Sequence, residues 1–194
     1  MKYNYKINLA SQSQRRIDFL NQLKLEFTHF SVDIDESQYE NEIPLNYLNR
    51  IVNEKKSEAL KKIKHNEIVL VADTIVVLGN TILQKPENRE EADKFLNMLS
   101  GRWHNVITGY SISNGNDINI YKFVTTEVLF KKLSQKEIDF YLSDDEYIGK
   151  AGAYAIQGLG AFMIKKFVGS YSNVVGLPVM EVFSDLQELK IIEI

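Results

Sequence analysis

Asp73 is the charged residue whose surroundings point most directly to chemistry. It separates two largely apolar runs, residues 68–72 and 74–78, which are typical of a buried strand. An unpaired carboxylate is costly to bury, so this side chain either reaches solvent at a bend or is matched to a metal ion or a proton-transfer role. Many aspartates at strand ends only cap turns, but this position favours a catalytic function.

Two adjacent cations, Arg15 and Arg16, stand in the first turn of a helix predicted to begin at Gln14. Positive charge there opposes the helix dipole. A bound anion would reverse that cost, because backbone N–H groups and guanidinium groups would converge on it. Ser11 and Ser13 are then phosphate ligands or helix caps, and the alternative is that both arginines are solvated. The sequence has no Walker-type loop, so a phosphate site here is built another way.

Three further charged residues are candidates for binding a phosphorylated ligand. Glu36 lies in the acidic segment 33–42, where a carboxylate can bind Mg²⁺, although such loops are more often only solvated. Lys85 precedes Pro86, which favours an extended backbone that can project the lysine from a rigid loop. Lys55 lies in a charged helical segment, where a surface position is the ordinary interpretation.

A glycine-rich segment, residues 149–160, permits close approach of the backbone to a ligand or forms only tight turns. Within it, Gln157 offers both a hydrogen-bond donor and an acceptor, which suits it to reading a pyrimidine edge. His104 invites an acid–base role, but a hydrogen-bonded structural histidine is the more common case.

Strand and helix signals alternate along the chain, so we expect an α/β fold with a mixed sheet. Helices are predicted over residues 14–23, 45–63 and 87–99, from the N-cap Ser134 to about residue 142, and after Pro178. Strands are predicted over residues 7–10, 27–32 and 68–78, in a hairpin of residues 106–112 and 119–130, and at the end of the segment 149–167. No repeat or linker divides the chain.

Composition excludes several classes of function. The chain has 194 residues, no cysteine and three histidines, which excludes a thiolate metal site or cysteine nucleophile and leaves few ligands for zinc. A net charge of −3 provides no broad basic surface for a nucleic acid. The first residues have no signal-peptide pattern and no apolar run reaches membrane-spanning length. We therefore expect a cytoplasmic protein that binds a small molecule, with neither a nucleic acid nor a membrane as partner.

Eight segments together resemble the Maf family of nucleoside triphosphate pyrophosphatases. They run in the family's order from Leu9 to Pro178: LASQSQRR, VDIDE, NEK, VADTIVV, LQKP, SGRWHNVITG, KAGAYAIQGLG and GSYSNVVGLP. Each segment is weak alone, but the ordered set is specific. Gln14 departs from the family, which usually has proline before the arginine pair; this removes a helix-starting device but no chemical group.

The resemblance implies one Maf-like domain over residues 1–194, similar to inosine triphosphatases, with a strongly twisted mixed sheet flanked by helices in two lobes around a central cleft. It also implies hydrolysis of a nucleoside triphosphate between the α and β phosphates with Mg²⁺ or Mn²⁺, and it suggests a homodimer. Asp73 matches the family's catalytic aspartate, described as a proton acceptor, although a role as metal ligand stays open. The polar cluster around the triphosphate and the metal is matched by Arg16, Glu36, Lys55 and Lys85.

Base preference is implied by the same resemblance. The pattern of Arg15, Thr74 and Gln157 is similar to that of the subgroup that acts on dTTP and UTP. The subgroup that acts on 7-methyl-GTP typically has glutamate at the position of Gln157. We therefore expect a dTTP/UTP pyrophosphatase, with house-cleaning of modified nucleotides as an extension. The alternatives are the same enzyme with 7-methyl-GTP preference and a nucleotide-sensing regulator of cell division without turnover.

The charges of the candidate residues suit this substrate. Four cationic side chains and two carboxylates leave a local balance of +2 if all of them converge: Arg15, Arg16, Lys55, Lys85, Glu36 and Asp73. A triphosphate bound to one Mg²⁺ carries a net charge of about −2 by simple addition, so such a site could neutralise charge on the leaving pyrophosphate.

Overall fold

A computed structural model describes residues 1–194 of the protein. Its strands are β1 (Lys2–Tyr3), β2 (Lys6–Leu9), β3 (Phe27–His29), β4 (Glu67–Leu78), β5 (Thr81–Leu83), β6 (Trp103–Ser113), β7 (Asn119–Phe130), β8 (Ile164–Val168) and β9 (Ile192–Glu193). Its α-helices are α1 (Gln14–Gln22), α2 (Pro44–Leu60), α3 (Arg89–Leu99), α4 (Gln135–Tyr141), α5 (Tyr171–Val175) and α6 (Val179–Glu188). Three short 3-10 helices cover Asp145–Tyr147, Ala151–Ala153 and Gly158–Met163.

Seven of the strands form one mixed sheet. Its order is β3-β2-β4-β6-β7-β8, with β5 paired to β4. Strand β2 is parallel to β3 and β4, with Ile7 opposite Phe27 and Ile68, whereas β5 and β8 pair in the antiparallel sense. A separate antiparallel pair joins β1 and β9. The predicted α/β fold with a mixed sheet flanked by helices is confirmed.

The chain forms two compact units, in agreement with the two predicted lobes. The first comprises Met1–Asp73, Thr108–Val124 and Gly176–Ile194, and the second comprises Thr74–Ile107 and Thr125–Val175. Strands β4, β6 and β7 contribute residues to both units. In the first unit, side chains of β2, β4, α1 and α6 share one buried cluster that includes Leu9, Leu20, Leu70 and Leu186.

Helix α2 shows how local sequence positions the site. Pro44 occupies its first turn, where the missing N–H is no loss. Tyr47 and Ile51 are buried, and Lys55 follows at the same spacing of four residues, which places it on the same face of the helix. The predicted start of α2 is thus confirmed, but the helix ends at Leu60 and not at residue 63.

Short pairings were harder to predict. Strand β3 has three residues and not six, because it is an edge strand that pairs only with Ile7, Asn8 and Leu9. Strands β1 and β9 pair across almost the whole length of the chain, and two-residue strands carry no periodic pattern. None of the helices combines the length and apolarity needed to cross a bilayer.

Candidate active site

Lys55 forms ion pairs with two carboxylates, and this three-residue group is the centre of the candidate site. Its Nζ atom lies 2.6 Å from Oε1 of Glu36 and 2.6 Å from Oδ1 of Asp73. The side chains of Lys55 and Asp73 are only 12% and 13% exposed. A cationic partner therefore explains how a carboxylate is tolerated in the middle of β4.

The two partners of Lys55 also fix its charge. Burial alone would lower the pKa of Lys55, but the charges and hydrogen bonds of Asp73 and Glu36 outweigh that effect and raise it above its ordinary value. Lys55 is therefore a permanent cation at physiological pH. Its ammonium group holds together two carboxylates that would otherwise repel each other.

The arginine pair begins α1 as predicted. Ser13 is the N-cap residue, but its side chain makes no capping hydrogen bond, and the first turn contains no acidic residue. The hydroxyl of Ser11 instead accepts the N–H of Ser13 at 3.1 Å. Arg16 donates to the carbonyl of Gly176 at 2.8 Å and to the Ser11 hydroxyl at 3.3 Å. The helix start is thus a fixed cationic turn without an acidic residue of its own.

Electrostatics connects this turn to the ion-paired group. Burial lowers the pKa of Arg16, the charge of Asp73 opposes that effect, and the charge of Arg15 adds to it. Glu36 acts in the same direction as Asp73. Burial also lowers the pKa of Arg15. Arg16 therefore lies within electrostatic reach of both carboxylates.

The acidic loop that carries Glu36 is held from α2. The Tyr47 hydroxyl donates to the carbonyl of Glu36 at 2.9 Å. Arg50 donates to the carbonyl of Ser37 at 2.8 Å and to both carboxylate oxygens of Glu42 at 2.7 and 2.8 Å. Residues 31–43 contain no helix or strand, so these side chains replace the regular backbone pairing that would otherwise fix the loop.

Neither Tyr47 nor Arg50 was among the predicted site residues. Tyr47 lies on the buried face of α2 eight residues before Lys55, and Arg50 lies one turn after Tyr47. The spacing of eight residues places Tyr47 on the same face of the helix as Lys55. The path of the acidic loop, which decides what they bind, has no periodic pattern from which it could be read.

The other predicted residues belong to the second unit. Thr74 directly follows Asp73 on β4, and Lys85 is exposed just after β5. The carbonyl of Gln84 accepts the N–H of Gly152 at 3.1 Å, which fastens the glycine-rich segment to the strand end that carries Lys85. Gln157 is exposed on that same segment. The second unit thus presents a cation and an amide on one connected framework.

His104 belongs to a buried aromatic cluster and not to this group of charges. Its Nε2 atom lies 2.8 Å from the Tyr154 hydroxyl, and its ring contacts Phe130 edge-on at 5.0 Å between centroids. Burial lowers the pKa of His104 to about 4. His104 is thus a structural, hydrogen-bonded histidine, as predicted.

The fit to a divalent cation depends on two side chains. No group of three or more histidine, cysteine, aspartate or glutamate residues is placed to hold a metal ion. Glu36 and Asp73 provide two carboxylates gathered around one cation, Lys55. Mg²⁺ is commonly held by one or two carboxylates together with substrate phosphates, so this pair fits a metal that arrives with a nucleotide.

A groove of about 500 Å³ lies elsewhere in the first unit. Its lining comes from the amino-terminal ends of β2 and β3, including Tyr5, Lys6 and Phe27. Ser11 and the arginine pair follow the carboxyl end of β2. Ligands of open α/β sheets bind beyond the carboxyl ends of the strands, which favours the charged group over this groove.

Comparisons with known proteins show the family of the chain. The sequence profile of the family described as Maf-like protein matches residues 6–189. A dTTP/UTP pyrophosphatase of Rhizobium johnstonii is 44% identical over 187 residues, covering 93% of this chain and 91% of that protein. A dTTP/UTP pyrophosphatase of Thermoanaerobacter sp. (strain X514) is 42% identical over 183 residues, covering 94% of this chain and 95% of that protein.

Solved structures support the fold alone. The Staphylococcus aureus Ham1 protein superposes with a TM-score of 0.55 at 14% identity, covering 95% of this chain and 99% of that chain. A nucleoside-triphosphatase, dITP/XTP pyrophosphatase, of Mycobacterium abscessus superposes with a TM-score of 0.50 at 12% identity, covering 95% and 97%. The fold expected from inosine triphosphatase-like enzymes is therefore present.

Proposed function

The chain belongs to the Maf-like protein family, and from this premise we propose that it is a nucleoside triphosphate pyrophosphatase acting on dTTP and UTP. Relatives at 40–44% identity, matched over more than nine-tenths of this chain, carry that name. The single observation that carries the proposal is the ion-paired group, in which Lys55 joins Glu36 to Asp73. That group combines a permanent cation with two oxygen ligands, as a triphosphate hydrolase requires.

The cationic start of α1 binds the triphosphate. Arg15, Arg16 and the backbone N–H groups of Gln14 and Arg15 bind phosphate oxygens, and the Ser11 hydroxyl adds a donor. Lys55 and Lys85 supply further positive charge to the phosphates. These groups orient the chain of phosphates so that the α phosphorus faces the attacking water.

The chemical step is an in-line displacement at the α phosphorus. Water attacks, the bond from the α phosphorus to the oxygen that bridges to the β phosphorus breaks, and pyrophosphate leaves with the electron pair. Asp73 aligns the attacking water and accepts its proton. The nearby cations stabilise the negative charge that develops on the leaving pyrophosphate.

Glu36 and Asp73 are the residues that would hold the divalent cation, with phosphate oxygens completing its ligands. When bound, Mg²⁺ or Mn²⁺ supplies neutralisation of charge on the triphosphate. Lys55 holds the two carboxylates in place before the nucleotide arrives.

Residues of the second unit select the base. The Gln157 amide can donate to a carbonyl oxygen of uracil or thymine and accept from the ring N–H. Thr74, beside Asp73, completes the pattern of the dTTP/UTP subgroup. The proposal includes a cytoplasmic location and, on the family resemblance, a homodimer.

A panel of natural and modified nucleoside triphosphates tests the proposal. Purified protein is incubated with each nucleotide and Mg²⁺ or Mn²⁺, and the release of pyrophosphate is measured in ¹⁸O-labelled water. We expect pyrophosphate from dTTP and UTP, with ¹⁸O in the monophosphate. Release of inorganic phosphate in place of pyrophosphate would contradict it. Tight binding of dTTP without turnover would indicate the sensor, and faster hydrolysis of 7-methyl-GTP would indicate the other base preference.

A further inference from the structure

We propose that Glu146 and Tyr141 position the turn that carries Gln157 and thereby determine the base selectivity of the enzyme. The turn comprises residues 155–160 and is called the Gln157 turn below. This inference rests on the proposed function, because it takes Gln157 as the group that contacts the base. Glu146 and Tyr141 are positioning residues and touch no substrate.

Glu146 fastens the far end of the Gln157 turn. Its Oε1 atom accepts the N–H of Leu159 at 2.9 Å, and its Oε2 atom accepts the N–H of Gly160 at 2.8 Å. Both carboxylate oxygens are therefore engaged by backbone donors at the start of the 3-10 helix Gly158–Met163. Hydrogen bonds to an ionised acceptor are among the stronger ones in proteins, so this end of the turn is firmly fixed.

Tyr141 fastens the near end of the same turn. It is fully buried, and its hydroxyl accepts the N–H of Ala155 at 3.3 Å. Burial, and after it the charge and hydrogen bond of Glu146, raise the pKa of Tyr141, so the two side chains interact directly. One tyrosine–glutamate pair thus holds the backbone on both sides of Gln157.

Two glycines show how closely the Gln157 turn is packed. Gly158 has φ +74°, and a Cβ atom there would lie 1.9 Å from Oε1 of Glu146. A Cβ atom at Gly160 would lie 2.3 Å from the carbonyl oxygen of Ala155, so the turn closes on itself. Only glycine fits these positions while Glu146 keeps its place.

A fixed turn matters for base selectivity because a glutamine amide can pair with either of two bases, depending on its orientation. In one orientation the amide pairs with uracil. Rotation by 180° about the bond that carries the amide exchanges its donor and its acceptor, so the same group then pairs with cytosine. Discrimination between UTP and CTP therefore requires that the side chain of Gln157 starts from a defined place and direction. UTP and CTP carry the same triphosphate and differ only in the base. The ratio of their kcat/KM values therefore reports on recognition of the base alone.

The test compares kcat/KM for UTP with kcat/KM for CTP in matched variants. Glu146→Gln and Asp145→Asn each remove one charge from the same 3-10 helix, but Asp145 is exposed and accepts no hydrogen bond from the Gln157 turn. We expect Glu146→Gln to reduce the UTP/CTP ratio about tenfold and Asp145→Asn to leave it unchanged. Glu146→Gln should also speed hydrogen exchange at the amides of Leu159 and Gly160.

Further outcomes separate this inference from the proposed function. Tyr141→Phe removes only a hydroxyl and should lower the ratio in the same direction, which keeps the test available if Glu146→Gln does not fold. Folded Glu146 and Tyr141 variants that keep the parent ratio would overturn the inference and leave the proposed function standing. If Gln157→Ala leaves the UTP/CTP ratio of kcat/KM unchanged, the inference is overturned as well. A parent protein that hydrolyses no nucleotide would overturn both.

Discussion

Lys55 on α2 and Asp73 on β4 form an ion pair of 2.6 Å, with both side chains almost withdrawn from solvent. Because Glu36 is bound to the same ammonium group at 2.6 Å, one cation holds two carboxylates in place. Removal of Lys55 would leave the nearly buried carboxylate of Asp73 without its ion-pair partner. The group therefore couples the stability of the protein to the metal binding and catalysis that we propose for these residues.

We expect Lys55→Met to lower the free energy of unfolding by about 2 kcal/mol, because Asp73 and Glu36 then lose the cation that pairs directly with both. Mg²⁺ without nucleotide should stabilise this variant more than it stabilises the parent, since the metal can replace the missing charge. Urea unfolding with and without Mg²⁺ measures both effects. Lys56→Met, at the next position on α2, is the control, and equal responses of Lys55→Met and parent to Mg²⁺ would contradict the prediction.

Asp73→Asn is expected to lower kcat by about a hundredfold or more, the usual contribution of a group that takes a proton in the chemical step. Nucleotide binding should change much less, because the arginine pair and Lys85 are intact. Steady-state kinetics together with calorimetric binding of dTTP in Ca²⁺ separate the two effects. A variant that hydrolyses dTTP at the parent rate would remove Asp73 from its proposed role.

We expect Gln157→Glu to shift selectivity from UTP toward 7-methyl-GTP, because a carboxylate only accepts hydrogen bonds and a guanine edge donates them. The UTP value of kcat/KM should fall about tenfold or more. Inorganic tripolyphosphate, which has no base, serves as the control, since its inhibition constant should stay the same. An unchanged order of substrates would exclude Gln157 as the group that reads the base.

Much of the fold could be predicted because its signals are local. The N-cap Ser134 and Glu137 form a capping box, Pro44 begins α2, and the hairpin of β6 and β7 turns near Gly115 as predicted. What failed depends on partners far away in the chain. The pairing of β1 with β9 and the short length of β3 follow from tertiary contacts that no window of sequence contains.

The residues of the candidate site also divide into those that local sequence identifies and those that depend on tertiary structure. Asp73 was identifiable because a carboxylate interrupts an apolar strand, and the arginine pair because cations begin a helix. The charged neighbours of Lys55 favour a surface position, although its spacing from Ile51 places it on the buried face. The roles of Tyr47 and Arg50 depend on the path of an irregular loop, which only the structure gives.

Tyr47→Phe tests whether activity requires the hydrogen bond by which Tyr47 holds the acidic loop. It deletes the hydrogen bond to the carbonyl of Glu36 and should cost about 1 kcal/mol of stability. Because Glu36 is less well placed, we expect kcat/KM for dTTP to fall about tenfold and the Mg²⁺ concentration for half-maximal rate to rise. Tyr39→Phe is the control, since its ring still contacts the Arg50 guanidinium, 3.8 Å from the ring centroid. Equal kinetics of the two variants would show that the loop needs no such support.

His104 should make the protein less stable in mild acid. Its pKa is about 4 in the folded protein, against an ordinary value of 6.5, because the ring is buried beside Tyr154. Between these two values the unfolded chain binds the proton and the folded protein does not, so stability is complete above pH 6.5 and falls as the pH falls. From pH 7.5 to 5.5 the loss attributable to this residue is about 1 kcal/mol.

The substitution His104→Gln isolates that contribution. Glutamine does not titrate and can still pair with the Tyr154 hydroxyl, so we expect the variant to lose about 1 kcal/mol less than the parent between pH 7.5 and 5.5. Urea unfolding at a series of pH values measures the difference, and it should be confined to stability, because His104 lies among aromatic rings and not with the ion-paired group. If parent and variant show parallel pH profiles, the buried ring is not the source of the acid sensitivity. If His104→Gln instead loses kcat at pH 7.5 while its stability is intact, His104 acts in the reaction.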